Sequence, residues 1–253
     1  MNKISVVENL VTNAIPLDRN FLDALPSQVE RDDLNLVAPS NMAFVVFTSG
    51  SAGNPKGILL EHRSLCISAH AHGKVMRLDQ SSRVLQFASH TFNVSNQDTW
   101  ITLMRGGCVC VPSEEDRRNN LAGVINGLRV NWTFLTPTVA DIITSEHVST
   151  LKTLVLGGEA LTRQNTRTWS SLRMLNSYGP AEILIGCAVS ELSAVGDPSN
   201  FGHALDSAVL WIVDPQNHNR LVHIGAVGEL LIEGPILARG CLNDPDKTKS
   251  SFI

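Results

Sequence analysis

The sequence predicts an α/β fold on a mostly parallel sheet with a β-rich C-terminal part, and three observations predict it. Short β-branched runs alternate with stretches of helical length between residues 42 and 156. Strands separated by helices at that spacing pair in parallel and are covered on both faces. Pro137 and Gly157-Gly158 stand where proline starts helices and glycine ends strands. Beyond Leu192, residues 209–214 and 228–234 are strand-like runs joined by a polar turn, which reads as antiparallel structure.

Residues 1–40 carry scattered apolar residues and the charged run Glu30-Arg31-Asp32-Asp33 without a sustained period. They read as a lead-in segment with room for one short helix, followed by a domain over residues 41–253. Met42-Ala43-Phe44-Val45-Val46-Phe47 reads as a buried strand. It feeds Thr48-Ser49-Gly50-Ser51-Ala52-Gly53-Asn54-Pro55-Lys56-Gly57, a loop crowded with hydroxyls, backbone N–H groups and one cation. Glycines let amides approach an anion, hydroxyls donate to phosphate oxygens, and Lys56 adds a point charge. Composition alone equally suits a mobile surface turn. The order Pro55-Lys56-Gly57 departs from the Walker arrangement, so any phosphate loop here is of another kind.

The alternation continues with a helix over 61–71, a strand over 83–88, a helix over 95–105 and a strand over 108–111. Next come a helix over 113–128, a strand over 132–135, a helix over 137–144 and a strand over 151–156. Ligands of such sheets sit outside the carboxyl ends of the strands. The turns after Phe47, Ala88 and Leu156 and the loop Asn176-Ser177-Tyr178-Gly179-Pro180-Ala181-Glu182 are therefore expected to meet at one crevice.

Composition narrows the function. With 43% hydrophobic and 17% charged residues the chain is an ordinary globular sequence. A net charge of −4 without a basic block argues against a nucleic-acid surface, and no apolar run approaches bilayer length. The N-terminus meets charge too early for a secretory segment, so the cytoplasm is the default location. Five cysteines without a C-x-x-C pair read as reduced, with Cys108 and Cys110 as small buried hydrophobes on one strand face. The eight histidines show no metal spacing.

Four segments in fixed order resemble the core motifs of adenylate-forming enzymes, most closely the adenylation domains of nonribosomal peptide synthetases. They are the loop from Phe47 to Gly57, Phe92-Asn93-Val94-Ser95, the loop from Asn176 to Glu182, and Gly228-Glu229-Leu230-Leu231-Ile232-Glu233-Gly234 with Ala238-Arg239-Gly240. Gly106-Gly107-Cys108-Val109-Cys110-Val111-Pro112 and the acidic run after it resemble the fungal branch. The resemblance implies the N-terminal core of that fold, a layered αβαβα arrangement, and a chemistry in which a carboxylate attacks the α-phosphate of ATP. The products are an acyl-adenylate and pyrophosphate, and the acyl group then passes to a carrier-protein phosphopantetheine thiol. ATP and Mg²⁺ are the implied cofactors; a carboxylic acid, the carrier domain and neighbouring synthetase domains are the implied partners.

By the same resemblance Thr48, Ser49, Gly50, Ser51, Gly53 and Lys56 hold the β- and γ-phosphates, and Lys56 and Glu182 are catalytic. Glu182 is the magnesium carboxylate, a hard oxygen ligand of the kind that ion takes. Tyr178 stacks on adenine, while Asn176, Ser177, Gly179 and Gly157-Gly158-Glu159 complete the base pocket. Asn93, Val94, Gln97, Phe134, Val155, Gly157, Ser177, Ile185 and Gly186 line the acyl pocket. Read without their motifs, Glu182 is a solvated helix-start carboxylate, Tyr178 core packing, and Phe134 and Val155 plain sheet core. His90 lies beside the acyl pocket, where a structural role is the simpler reading.

Three departures follow. Ala52 and Ala181 replace the family's usual threonines and remove two hydroxyl donors, each neutral hydrogen bond contributing about 1 kcal/mol. Asn93 replaces the aspartate that pairs with a substrate α-ammonium. An asparagine cannot form that ion pair, which points to aryl acids, 2-hydroxy acids or N-acylated amino acids. By comparison with the family the chain reads as a partial large subdomain over 41–253, without the small lysine-bearing C-terminal subdomain, leaving apolar faces and sheet edges uncovered. A nucleotide- or acyl-binding pseudoenzyme and a stand-alone acyl- or aryl-CoA ligase relative are the alternatives.

Overall fold

The computed structural model describes residues 19–25, 37–49 and 55–253. Contacts divide the chain into Met1–Val37 and Ala38–Ile253. Within the first unit the described element is a five-residue helix, α1 (Arg19–Asp23).

The second unit opens with β1 (Met42–Thr48) and β2 (Lys56–Glu61), an antiparallel pair that places Lys56 opposite Thr48. Helix α2 (His62–Val75) follows directly. The sheet-building stretch runs through β3 (Arg83–Leu85), a π-helical turn at Gln97–Ile101 continued by α3 (Thr102–Met104), and β4 (Cys108–Cys110). Then come α4 (Glu114–Asn119), α5 (Leu121–Gly127), β5 (Trp132–Leu135), α6 (Pro137–Ala140) and β6 (Thr153–Gly157). Helix α7 (Arg163–Thr168) leads to β7 (Arg173–Tyr178), β8 (Ala188–Leu192) and β9 (His203–Ala204). The chain closes with β10 (Val209–Asp214), β11 (Asn217–Leu221), β12 (Glu229–Glu233) and α8 (Pro245–Ser251).

The main sheet has the order β4-β3-β5-β6-β7-β8-β9, parallel through β7 and antiparallel beyond it. The pleat sends alternate side chains to opposite faces. Val84, Trp132, Phe134, Val155 and Leu175 join Leu65, Ala69 and Met76 in one core. Their neighbours Leu85, Leu135, Leu154, Leu156 and Met174 join Leu121, Ile125 and Trp169 in another. Both faces of the sheet are therefore covered, as parallel strands require. Sheet β11-β10-β12 is the antiparallel β-rich part.

Several elements differ from the sequence expectation, each for a physical reason. The strand at 42–47 exists, but only Val46 is buried and the strand pairs with β2 alone, outside the main sheet. β2 itself goes unforeseen because its glycine and lysine read as loop. The helix expected over 113–128 breaks at Asn120, whose backbone leaves the helical region (φ −145°, ψ 46°). The helix from Pro137 stops at Ala140, and the polar turn between β10 and β12 contains β11, whose five residues are all exposed and so show no alternation. Cys108 is exposed, while Cys110, two residues on along the same face of the edge strand, is buried.

Candidate functional site

A cleft of about 1630 Å³ opens beside the carboxyl ends of the main-sheet strands. Its walls include the four places where convergence was expected: Phe47 to Ser49, Phe87 to Ser89 with Thr91 to Val94, Gly157 to Leu161 and Asn176 to Ala181. The first of these stems from the separate β1–β2 pair, not from a strand of the main sheet.

At the β1 side, Thr48 and Ser49 line the cleft, and the Thr48 hydroxyl is buried without a hydrogen-bond partner among the described residues. Gly50, Ser51, Ala52 and Gly53 lie outside the described residues. Lys56 donates to the Glu182 carboxylate in an ion pair between residues 126 positions apart, with side chains 23% and 22% exposed. The backbone of Glu182 is held in turn by the amide of Ala238, and Arg239 donates from its backbone to Leu59 of β2. The Ala238-Arg239-Gly240 motif thus ties the Glu182 segment to the strand that carries Lys56. Pro180 and Ala181 line the cleft next to this pair.

The wall formed by the ends of β6 and β7 is close-packed. A Cβ on Gly157 would lie 2.5 Å from the Ser177 carbonyl oxygen and 2.8 Å from Phe134 Cζ, so glycine alone fits there. Glu159 accepts from the backbone N–H and hydroxyl of Thr138 at 3.0 and 2.6 Å, and the Thr138 hydroxyl bond holds its carboxyl below the ordinary carboxylate value. Asn176 donates through Nδ2 to the carbonyls of Pro198 and Asn200, both at 3.3 Å. Tyr178 is 38% exposed and stacks on Phe201. Burial pushes its phenol up, so it stays neutral.

In the loop after β3, Asn93 Nδ2 donates to the Ile183 carbonyl at 2.6 Å, and Asn93 Oδ1 accepts from Asn96 at 3.4 Å. Behind it, Asp98 is fully buried and accepts from the N–H groups of Phe87 and Ala88, both at 3.2 Å. Arg117 reaches from α4 to the Phe87 carbonyl at 3.0 Å. Ile185, a β-branched residue on the cleft wall, sits at φ +72°, a conformation costing of order 1–3 kcal/mol.

Of the sequence-derived site residues, Thr48, Ser49, Asn93, Val94, Phe134, Gly157, Gly158, Glu159, Asn176, Ser177, Tyr178, Gly179 and Ile185 line this one cleft. Lys56 and Glu182 pair at its edge. Gln97, Val155 and Gly186 are buried and do not line it; Val155 belongs to the core. Both polar atoms of the Gln97 side chain lack partners among the described residues. His90 is exposed and off the cleft. Sequence reasoning missed Phe201, Pro198 and Ser199, which line the cleft from a loop without a motif, and Arg117, which lay in a run read only as fungal-like. Among the described residues no group of three or more His, Cys, Asp or Glu side chains is placed to hold a metal ion, and no helix is long and apolar enough to cross a membrane.

The sequence matches the family described as AMP-binding enzyme over residues 3–242. Nonribosomal peptide synthetase easA of Emericella nidulans is 47% identical over 250 residues, which is 98% of this chain and 4% of that protein. Nonribosomal peptide synthetase atnA of the same organism is 50% identical over 84% of this chain and 3% of its own length. The chain therefore spans a small part of the curated relatives it matches. Among solved structures, the Vibrio cholerae adenylation domain AlmE in complex with glycyl-adenosine-5'-phosphate superposes with a TM-score of 0.73 at 26% identity, over 86% of this chain and 44% of that one.

Proposed function

The chain belongs to the AMP-binding enzyme family, as an adenylate-forming ligase of the kind found in nonribosomal peptide synthetases, and from that premise we propose which residues do the work and on what acid. The Lys56–Glu182 ion pair carries the reading. It sets the loop's one cation and a hard carboxylate side by side at the edge of a cleft lined by hydroxyls and by an exposed aromatic ring. Lys56 would bind the phosphates, and Glu182 would be the protein carboxylate that holds a magnesium ion. One protein carboxylate fits Mg²⁺, which draws its other oxygens from phosphate and water. When bound, that ion neutralises charge on the phosphates. The Thr48 hydroxyl and Ser49 supply donors to phosphate oxygen, and the absence of threonine at Ala52 and Ala181 leaves that clamp with fewer hydroxyls.

The base lies on Tyr178 beside Gly157, Gly158, Glu159 and Asn176, and the carboxylic acid faces Asn93, Val94, Phe134, Ser177 and Ile185. Val155, Gln97 and Gly186 act from behind that surface. Asn93 is a neutral amide whose NH₂ donates to the Ile183 carbonyl, and unlike an aspartate it brings no negative charge to pair with an α-ammonium group. The substrate is an acid without a free α-ammonium: an aryl acid, a 2-hydroxy acid or an N-acylated amino acid. Transfer to a carrier-domain phosphopantetheine and a cytoplasmic setting, with the five cysteines reduced, complete the proposal; residues 41–253 then form part of the large subdomain of the adenylation domain and residues 1–40 its lead-in.

The test is ATP–pyrophosphate exchange with a panel of those acids and ordinary α-amino acids. Exchange confined to acids without an α-ammonium is expected, and Lys56→Met should lower it about 100- to 1000-fold, the range for losing one preorganised charge contact. Exchange with α-amino acids alone sinks the substrate reading. Exchange unchanged in Lys56→Met sinks the assignment of the site.

A further inference from the structure

Tyr178 does not stand alone in the cleft. Its ring stacks on Phe201 with centroids 4.7 Å apart and planes inclined by 24°. Phe201 is itself fixed from three directions. Its side chain packs on the buried cluster of Ile183, Cys187, Ala188 and Ile236. The residues before it are tied down by the Asn176 amide, which donates to the Pro198 and Asn200 carbonyls. The residue after it, Gly202, has φ +86°, and a Cβ there would lie 2.2 Å from the Val189 carbonyl oxygen, so glycine brings the chain this close to β8.

A centroid spacing of 4.7 Å is ring contact and leaves no room for a third ring between the two. The exposed part of Tyr178 is therefore the surface a planar base can use. An unbraced aromatic side chain loses rotamer freedom when a ligand stacks on it. A ring already held by Phe201 has little left to lose.

We propose that Phe201 is a positioning residue for the nucleotide base: from the same cleft wall it holds the Tyr178 ring in one orientation, so that the exposed part of the phenol ring meets a two-ring base flat and favours it over a one-ring base. The inference rests on the reading of Tyr178 as the base-stacking residue.

Tyr178 is the only tyrosine in the chain, so isotope-labelled tyrosine gives a single ring signal by NMR. In the unmodified protein, ATP should shift that signal more than CTP does at equal saturation, and ATP should bind more tightly. In Phe201→Leu the signal should move before any nucleotide is added. The ratio of ATP affinity to pyrophosphate affinity, both read by calorimetry, should fall about 3- to 10-fold, as expected for one aromatic pair. Phe201→Tyr should restore it. An ATP complex that leaves the Tyr178 signal in place, a loss of equal factor for ATP and pyrophosphate, or no ATP binding at all overturns the inference. Pyrophosphate exchange, read in parallel, separates the two readings: a Tyr178 shift with ATP but no exchange with any acid sinks the proposed reaction and leaves Phe201 its role.

Discussion

Asp98 is the residue whose chemistry is most at odds with its surroundings. It is fully buried, one oxygen accepts two backbone N–H groups, and the other has no partner. Burial raises its carboxyl well above the ordinary value of 3.8, only partly offset by the Ala88 and Phe87 amides. In the fold the proton is retained at pH values where the unfolded chain has released it. Stability therefore falls as pH rises above about 4, since the native state binds more protons. Asp98→Asn keeps an acceptor for both amides and cannot ionise. Urea unfolding should find it at least as stable as the parent at neutral pH, with an advantage that grows from pH 4 upward; a difference independent of pH would show that Asp98 is ionised in the fold. No motif marks Asp98 or Phe201 in the sequence, because their roles arise from neighbours distant along the chain. Asn93, Tyr178 and Glu182 stand out in the sequence only through the family motifs around them; without those motifs Glu182 reads as a solvated carboxylate and Tyr178 as core packing.

At the level of elements, the parallel strands β5 and β6 were legible from their apolar runs and the turn after β6 from its glycines, whereas the last three residues of β7 read as loop. The β1–β2 pair was not, because its half-exposed strand carries an apolar run that reads as buried and its partner begins inside the loop. What holds this pair in place is the segment after β12. Leu59 and Leu242 make backbone bonds to Gly240 and Gly57. Arg239 donates to Glu61 at 2.9 Å and to the Ser40 carbonyl, and Arg63 pairs with the other Glu61 oxygen at 2.6 Å. The Arg239 hydrogen bond, more than any other contact, keeps the Glu61 carboxyl below its ordinary value. Arg239 is 45% exposed, so the full strength of a charged hydrogen bond does not apply. Arg239→Met should cost about 1 kcal/mol in urea unfolding. Hydrogen exchange should quicken at the amides of Leu59 and Leu242 and not at Leu154 in the main sheet. Equal acceleration at all three would mean that the segment and the sheet open as one unit.

For the larger unit as a whole, the alternation of strands and helices predicted the covered sheet correctly, and it could not predict which polar side chains end up inside. His72 is such a case: a helix residue without metal spacing in the sequence, and in the fold wholly buried on the sheet side of α2. Its Nδ1 lies 2.9 Å from the Ser68 carbonyl, which can only accept, so Nδ1 carries the proton of a neutral ring and Nε2 is left without a partner. Burial lowers its pKa from 6.5 to about 4. The unfolded chain then binds a proton at pH values where the folded chain does not, so stability is present above pH 6.5 and is lost as pH falls toward 4. At about 1.4 kcal/mol per pH unit, the whole window is worth about 3 kcal/mol. This sign is opposite to that of Asp98, so over the pH range the two windows share the two buried groups oppose each other. His72→Gln, an uncharged replacement that can still donate to Ser68, should remove the acid-side loss. Urea unfolding of both proteins from pH 4 to 7 should show curves that converge as pH falls, the parent losing its advantage through this range. Parallel curves would mean that His72 takes up no proton on unfolding, and hence that its ring is not held neutral by burial.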